Sequence, residues 1–205
     1  MTRLLLIRHG HVEGIEPESF RGRADIALTA LGRRQVQATA HRIATHWRVD
    51  AVYTSPLQRC VHTGAAIASA CAVSCAALEA LSDIDYGVWQ GRPVAEVRAA
   101  VPELVERWHS APQLMRFPRG ESLQDLVARV AGALIDVLAR HGGDTVVLVG
   151  HDSVNRALLL QLLDQPLSAY WVLQQQPCGI SEVVLDGMQV RVLRVNETAH
   201  LDQID

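Results

Sequence analysis

Lysine is absent from this 205-residue chain, and all 19 of its basic residues are arginine. That excludes Schiff-base chemistry on a lysine amine, a lysine general base and the phosphate-binding lysine of a P-loop. Aromatic residues are scarce, at 4%. No apolar run approaches the roughly 20 residues needed to cross a bilayer, and the first one, Leu4-Leu5-Leu6-Ile7, is broken at once by Arg8-His9. There is no basic tract, and the formal net charge is -3, which argues against a nucleic-acid or membrane partner. Four cysteines stand at 60, 71, 75 and 178, and only Cys71 and Cys75 are close. With no second pair or neighbouring histidine they make a poor zinc site, so buried free thiols are expected. Internal repeats, low-complexity stretches and linkers are also missing, and the length suits one soluble, cytoplasmic domain spanning 1–205.

What is present centres on two apolar runs that each deliver a histidine. Leu4-Leu5-Leu6-Ile7 leads into Arg8-His9-Gly10, and Thr145-Val146-Val147-Leu148-Val149-Gly150 leads into His151-Asp152. Runs of this length and composition predict buried strands ending side by side. Ligands of open α/β sheets sit at the carboxyl ends of the strands, where helix N-termini also point, which places His9 and His151 at one site. Arg8 lies beside the first histidine, and Arg59 follows a third strand, so the site is cationic and suited to an anionic group such as phosphate.

Between these runs, residues 10–27 read as a long loop, a length that is usually functional. Val36, Ala40, Ile43 and Trp47 recur at helical spacing and predict a helix over 31–47. Ala51-Val52-Tyr53 predicts a strand, with Thr54 or Ser55 capping the next helix, Pro56 at its first position and Arg59 in its first turn. A strand is expected over 73–78, a loop over 78–91, and short helices separated by Pro102 over 93–110. Ser122 with Asp125 forms a capping-box pattern before the stripe Leu123, Leu126, Val127, Val130, Leu134, Val137, Leu138. A helix over 153–163 follows His151, and 181–185 with 190–195 close the chain as a hairpin across Asp186-Gly187. Alternating strands and helices predict a three-layer α/β/α sandwich around a mostly parallel sheet.

Six ordered blocks resemble the histidine phosphatase superfamily, also called the phosphoglycerate mutase-like family. They are Arg8-His9-Gly10; Phe20-Arg21-Gly22-Arg23 with Leu28-Thr29-Ala30-Leu31-Gly32-Arg33; Thr54-Ser55-Pro56-Leu57-Gln58-Arg59 with Thr63; Asp83 to Gly91; Gly120-Glu121-Ser122; and Gly150-His151. The resemblance implies a phosphomonoester hydrolase in which His9 is phosphorylated, Arg8, Arg59 and His151 hold the phosphoryl oxygens, and a carboxylic acid protonates the leaving group. The chemistry of the residues agrees, because nearby arginines keep an imidazole neutral and nucleophilic, and three cationic or donor groups offset charge on a transferring phosphoryl group. No metal or cofactor is called for; the partner is a small phosphorylated substrate.

Several positions depart from the family pattern. The asparagine that commonly touches phosphate after Arg-His-Gly is missing, and Arg21, with Gly22 beside it, is the candidate replacement. His11 either faces the pocket or decorates a loop. The acid position, where relatives usually carry glutamate, holds Asp83, shorter by one methylene or about 1.5 Å. Asp152 follows His151 directly, as in the acid phosphatase and phytase branch, and competes with Asp83 for the acid role unless it caps the following helix. Asp83 is preferred from its offset to Tyr86-Gly87. A segment near 88–120, with Arg92, Arg98, Arg107, His109, Arg116 and Arg119, is expected to cover the pocket.

Three rival readings bear on the same residues. His9, His11, His151 and Asp152 can be drawn as the metal site of a hydrolase, but Arg8 and Arg59 would repel a divalent cation. A cofactor-dependent phosphoglycerate mutase would need a longer, more basic lid than the short, mixed segment between Asp83 and Gly120. A non-catalytic phospholigand sensor would not need every core catalytic residue type, and all are present.

Overall fold

The computed structural model describes residues 1–187 and 189–204. Its elements, in chain order, are β1 (Thr2–Arg8), α1 (Ala30–His46), β2 (Ala51–Thr54), α2 (Gln58–Cys71), β3 (Cys75–Ala77), α3 (Val94–Ala100), α4 (Pro102–Ser110), α5 (Leu123–Arg140), β4 (Thr145–Gly150), α6 (Asp152–Leu162), β5 (Ile180–Asp186) and β6 (Gln189–Glu197). The strands form one sheet in the order β3-β2-β4-β1-β5-β6. The first four run parallel, and β5 and β6 extend the sheet antiparallel, as the predicted closing hairpin requires.

The alternation of side chains along β1 and β4 builds the layers. Leu5, Ile7, Val147 and Val149 face α1 and α2, where Ala40, Ile43, Cys60 and Ile67 close a core. Leu4, Leu6, Val146 and Leu148 face the opposite core, filled by Leu126, Val130 and Leu134 of α5 and by Val154, Ala157 and Leu158 of α6. Because both faces are covered, Leu4 to Ile7 of β1 and Val146 to Val149 of β4 are continuously apolar, with no polar alternation. The capping box at Ser122 is formed in both directions, and it starts α5 at Leu123.

Two local expectations are corrected. The helix after β2 begins at Gln58, with Leu57 at its cap position and no side-chain cap from Thr54 or Ser55. Asp25 Oδ1 instead accepts from the Gln58 N–H at 2.8 Å, so the long loop caps this helix from a distance, and Ser55 Oγ accepts from the Leu57 N–H at 3.3 Å just before it. Arg59 still falls in the first turn. Of the four cysteines, all free, Cys60 and Cys178 are buried, but Cys71 is half-buried and Cys75 is exposed on the short edge strand β3.

The segment over 88–120 folds as α3, α4 and irregular turns above the α5/α6 face, and it concentrates the chain's few aromatic side chains. Phe20, Tyr86, Trp89, Trp108 and Phe117 meet edge to face or tilted at centroid distances of 4.8 to 6.5 Å. Tyr170 and Trp171 adjoin Trp108 at 5.2 Å each. Such contacts add to the burial of large rings and fix the cap rigidly against the sheet.

Candidate active site

β1 and β4 pair in parallel with Arg8 opposite Gly150, so the residue after each strand emerges at the same edge. The His9 N–H donates to the Gly150 carbonyl at 3.0 Å, and the two imidazoles stand 5.2 Å apart in an edge-to-face arrangement. His9 Nδ1 lies 2.7 Å from its neighbour's Gly10 carbonyl. A carbonyl can only accept, so Nδ1 carries the proton and Nε2 holds the lone pair. Arg59 Nε–H donates to that Nε2 at 3.2 Å.

Arg59 is fully buried and ties the site together. Its Nη2 lies 3.2 Å from His151 Nδ1 and 3.4 Å from Asp83 Oδ2, and it donates to the Gly22 carbonyl at 2.7 Å. Its Nη1 donates to the Ala24 carbonyl at 2.6 Å, so one guanidinium both lines the site and fastens the 22–24 loop over it. Arg8 donates from Nη1 to the Gln175 carbonyl, and its buried Nε has no partner among the described residues. His151 Nε2 is 2.8 Å from Ser55 Oγ.

Burial is the first cause that holds the pKa of His9 well below its ordinary value, followed by the charges of Arg59, His151 and Arg8. His151 is lowered likewise, by burial and then by Arg59 and Arg8. Both rings are therefore neutral in the folded protein at pH values where the unfolded chain protonates them. The proton-linked stability is complete above the ordinary value of 6.5 and is lost as pH falls from there toward the lowered folded values. Each histidine contributes a slope of up to about 1.4 kcal/mol per pH unit in that window. Denaturant unfolding between pH 7 and pH 5 should show a steeper loss of stability in the wild type than in His151→Gln; equal slopes would contradict the burial argument.

A cavity opens on these groups, lined by Arg8, His9, Arg21, Gly22, Asp83, Tyr86, Asp152 and Ser153, with Glu18, Trp108, His109 and Trp171 on the outer side. A second, more open cavity shares Arg8, Glu18, Arg21, Asp152 and Trp171 and extends to Arg156 and Gln174, Gln175 and Gln176. Gly22 needs to be glycine here, because its φ is +48° and a Cβ would come within 3.0 Å of the Tyr86 ring. Asp83 is buried beside both Arg59 and His151 Nδ1, the latter at 3.6 Å from its Oδ2. Asp152 lines the cavity as the first residue of α6, but it does not cap the helix: His151 holds the cap position, and Asp152 Oδ1 accepts from Arg156 Nε at 3.0 Å.

Of the residues expected to act in catalysis or phosphate binding, Arg8, His9, Arg21, Gly22, Asp83 and Asp152 border one cavity, Arg59 reaches it through His9 and Asp83, and His151 packs edge to face against His9. His11 turns away, with Nδ1 3.0 Å from Thr29 Oγ1. Of the six basic residues in the covering segment, His109 is the one that lines this cavity, stacked at 8° on Trp171. Arg92 and Arg116 pair instead with Glu96 of α3 and Asp125 of α5. Sequence reasoning missed Ser55, read as a cap, and Ser153, which stands two residues after His151 and could have been noticed from that spacing. Gln175, Arg156 and Trp171 carried no local signal. Among the described residues, no group of three His, Cys, Asp or Glu side chains is placed to hold a metal ion.

The family model of the histidine phosphatase superfamily (branch 1) matches residues 4–198. The chain is 32% identical over 203 residues to phosphoserine phosphatase 1 of Hydrogenobacter thermophilus, covering 99% of this chain and 96% of that protein. Its structure superposes on Bacillus stearothermophilus YhfR with a TM-score of 0.93 at 27% identity, covering 98% of this chain and 100% of that one. It also matches phosphoserine phosphatase from Entamoeba histolytica, solved with 3-phosphoglyceric acid, with a TM-score of 0.86 at 26% identity over 98% and 100% of the two chains. A buried, neutral histidine pair at the tips of two parallel strands, bridged by an arginine, agrees with that match, and the chain belongs to the histidine phosphatase superfamily, branch 1.

Proposed function

We propose that this histidine phosphatase hydrolyses small phosphomonoesters through His9 Nε2 as the nucleophile. The observation that carries the assignment is the Nδ1 contact to the Gly10 carbonyl, which commits the proton to Nδ1 and leaves the Nε2 lone pair turned toward Arg59. Nε2 attacks phosphorus in line, the bond to the ester oxygen breaks, and that oxygen leaves with a proton from a carboxylic acid. Arg8, Arg59 and His151 offset the charge spread over the equatorial oxygens, with Arg21 and Gly22 at the outer edge of the phosphate position. Water then attacks the phosphohistidine, giving its proton to the carboxylate left behind, and phosphate departs.

Asp83 is the proposed acid. Its Oδ2 faces Arg59 and His151, whereas the Asp152 carboxylate, which lines the same cavity, is paired with Arg156. A general acid matters most for poor leaving groups. Asp83→Asn should therefore lower kcat/KM for an alkyl phosphate by about 10² or more while retaining much of the action on an activated aryl phosphate. Asp152→Asn should leave that selectivity unchanged. If the pattern is reversed between the two variants, Asp152 carries the proton.

The leaving group points toward Glu18, Arg21, Asp152, His109 and Trp171, contributed partly by the cap over 88–120, so both signs of charge line its space. This supports a small alcohol bearing its own charged groups. The relatives named as phosphoserine phosphatases put O-phosphoserine first in a hydrolysis panel, alongside 3-phosphoglycerate and neutral alkyl phosphates. A preference for the neutral esters would overturn this part of the reading.

A further inference from the structure

Ser153 is the second residue of α6 and is buried, and the phosphoryl-transfer chemistry above makes no use of it. Its hydroxyl donates to Asp83 Oδ1 at 2.5 Å. The Ile84 N–H also donates to the same Oδ1, at 2.9 Å, and lies 3.3 Å from Ser153 Oγ. Oδ1 therefore receives two donors from one side, while Oδ2 is turned to the site, 3.4 Å from Arg59 Nη2 and 3.6 Å from His151 Nδ1. The two oxygens of this carboxyl are not equivalent.

We infer that Ser153 is a positioning residue that confines the acidic proton of Asp83 to Oδ2. The Ile84 N–H can only donate, and with the Ser153 hydroxyl donating to Oδ1 as well, a proton on that oxygen would require the hydroxyl to turn round and accept. The neutral acid thus has its O–H on Oδ2, aimed at the leaving-group oxygen. When the P–O bond breaks, its electron pair stays on the ester oxygen, which takes the Oδ2 proton, and Asp83 becomes a carboxylate. Ser153 and Ile84 then stabilise the negative charge through Oδ1 without any side chain moving, the preorganisation that lowers the barrier of a proton transfer. Without the hydroxyl, the carboxyl can rotate about its Cβ–Cγ bond and present its proton away from the substrate.

This inference rests on the assignment of Asp83 as the acid, and the test separates the two. The ratio of kcat/KM for an alkyl phosphate to that for an activated aryl phosphate is measured in wild type, Ser153→Ala, Asp83→Asn and the double variant, with thermal unfolding to establish that each folds. Ser153→Ala should lower the ratio about tenfold, the effect of roughly one lost hydrogen bond to a charged group, chiefly through the alkyl ester. In the Asp83→Asn background the same change should lower the ratio no further, because the proton it positions is already gone. Should the alanine variant not fold, Ser153→Cys, close in size and a poorer donor, lowers the ratio in the same direction. If Asp83→Asn lowers the ratio and removal of the Ser153 hydroxyl does not, the positioning role is wrong while the acid assignment stands. If Asp83→Asn leaves the ratio unchanged, both are wrong.

Discussion

His9→Ala is expected to abolish turnover of every phosphomonoester and, with it, the trapping of acid-labile, base-stable phosphate on the protein. The loss in kcat should reach at least about 10⁴, since removal of the nucleophile from a set of groups that act together disables the whole set. The other groups remain: Arg59 is fastened by the Gly22 and Ala24 carbonyls, and His151 by Ser55, so the variant should still bind phosphate or a substrate. Binding without turnover is the diagnostic pair, measured by inhibition or calorimetry on one side and by phosphate release on the other. Stability should not fall in step with activity, because the buried imidazole carries a desolvation cost along with its packing. Turnover that persists in His9→Ala, or wild-type activity that disappears with a chelator, would defeat the phosphohistidine reading.

Arg59→Ala should depress kcat/KM by on the order of 10² or more, because the guanidinium acts where charge develops in the transition state. Arg59 also has a second, separable effect. It is among the causes that hold His9 below its ordinary pKa, so removing its positive charge lets that pKa rise. Since only the neutral imidazole attacks, the acidic limb of the kcat/KM profile should move to higher pH in the variant. The buried Gly22 carbonyl would lose its donor, at a cost of about 1–3 kcal/mol, while the half-buried Ala24 carbonyl would keep the Ile26 N–H. Arg59→Lys should recover part of the folding stability and little of the rate. One ammonium cannot donate at once to His9 Nε2, to the region of His151 and Asp83, and to two loop carbonyls, which the planar fork reaches together. Near-wild-type kinetics in Arg59→Ala would remove this arginine from the site.

The framework of the site was legible in the residues themselves. The apolar runs ending in Arg8-His9 and Gly150-His151 are strands because their residues are β-branched or leucine-rich, and a parallel pair must deliver both histidines to one edge. The stripe behind Ser122 and the periodicity up to Trp47 are local, one-dimensional signals, and α5 and α1 formed where those signals lay, to within a residue or two. The cationic, anion-binding character expected around His9, Arg8 and Arg59 followed from charge and residue type near a strand tip, whereas the nucleophilic role of His9 was implied by the family resemblance.

What only the tertiary structure decided is the direction of side chains and the partners they meet across long stretches of sequence. Whether His11 entered the pocket depended on Thr29, reached through the return of the 10–27 loop. The start of α2 depended on Asp25 reaching Gln58 from that same loop, and the contact of the Ser55 hydroxyl with His151 depended on β4 delivering that ring beside it. The contrast between Asp83 and Asp152 depended on Ser153 and Ile84 fastening one carboxylate while Arg156 paired with the other. The lining of the outer cavity by Trp171 and His109, where six basic residues were candidates, depended on the packing of the aromatic cap. Secondary structure follows the period of the chain, but the aim of a polar side chain is set by whichever buried donor or acceptor lies opposite, and those partners here come from loops and helices tens of residues away.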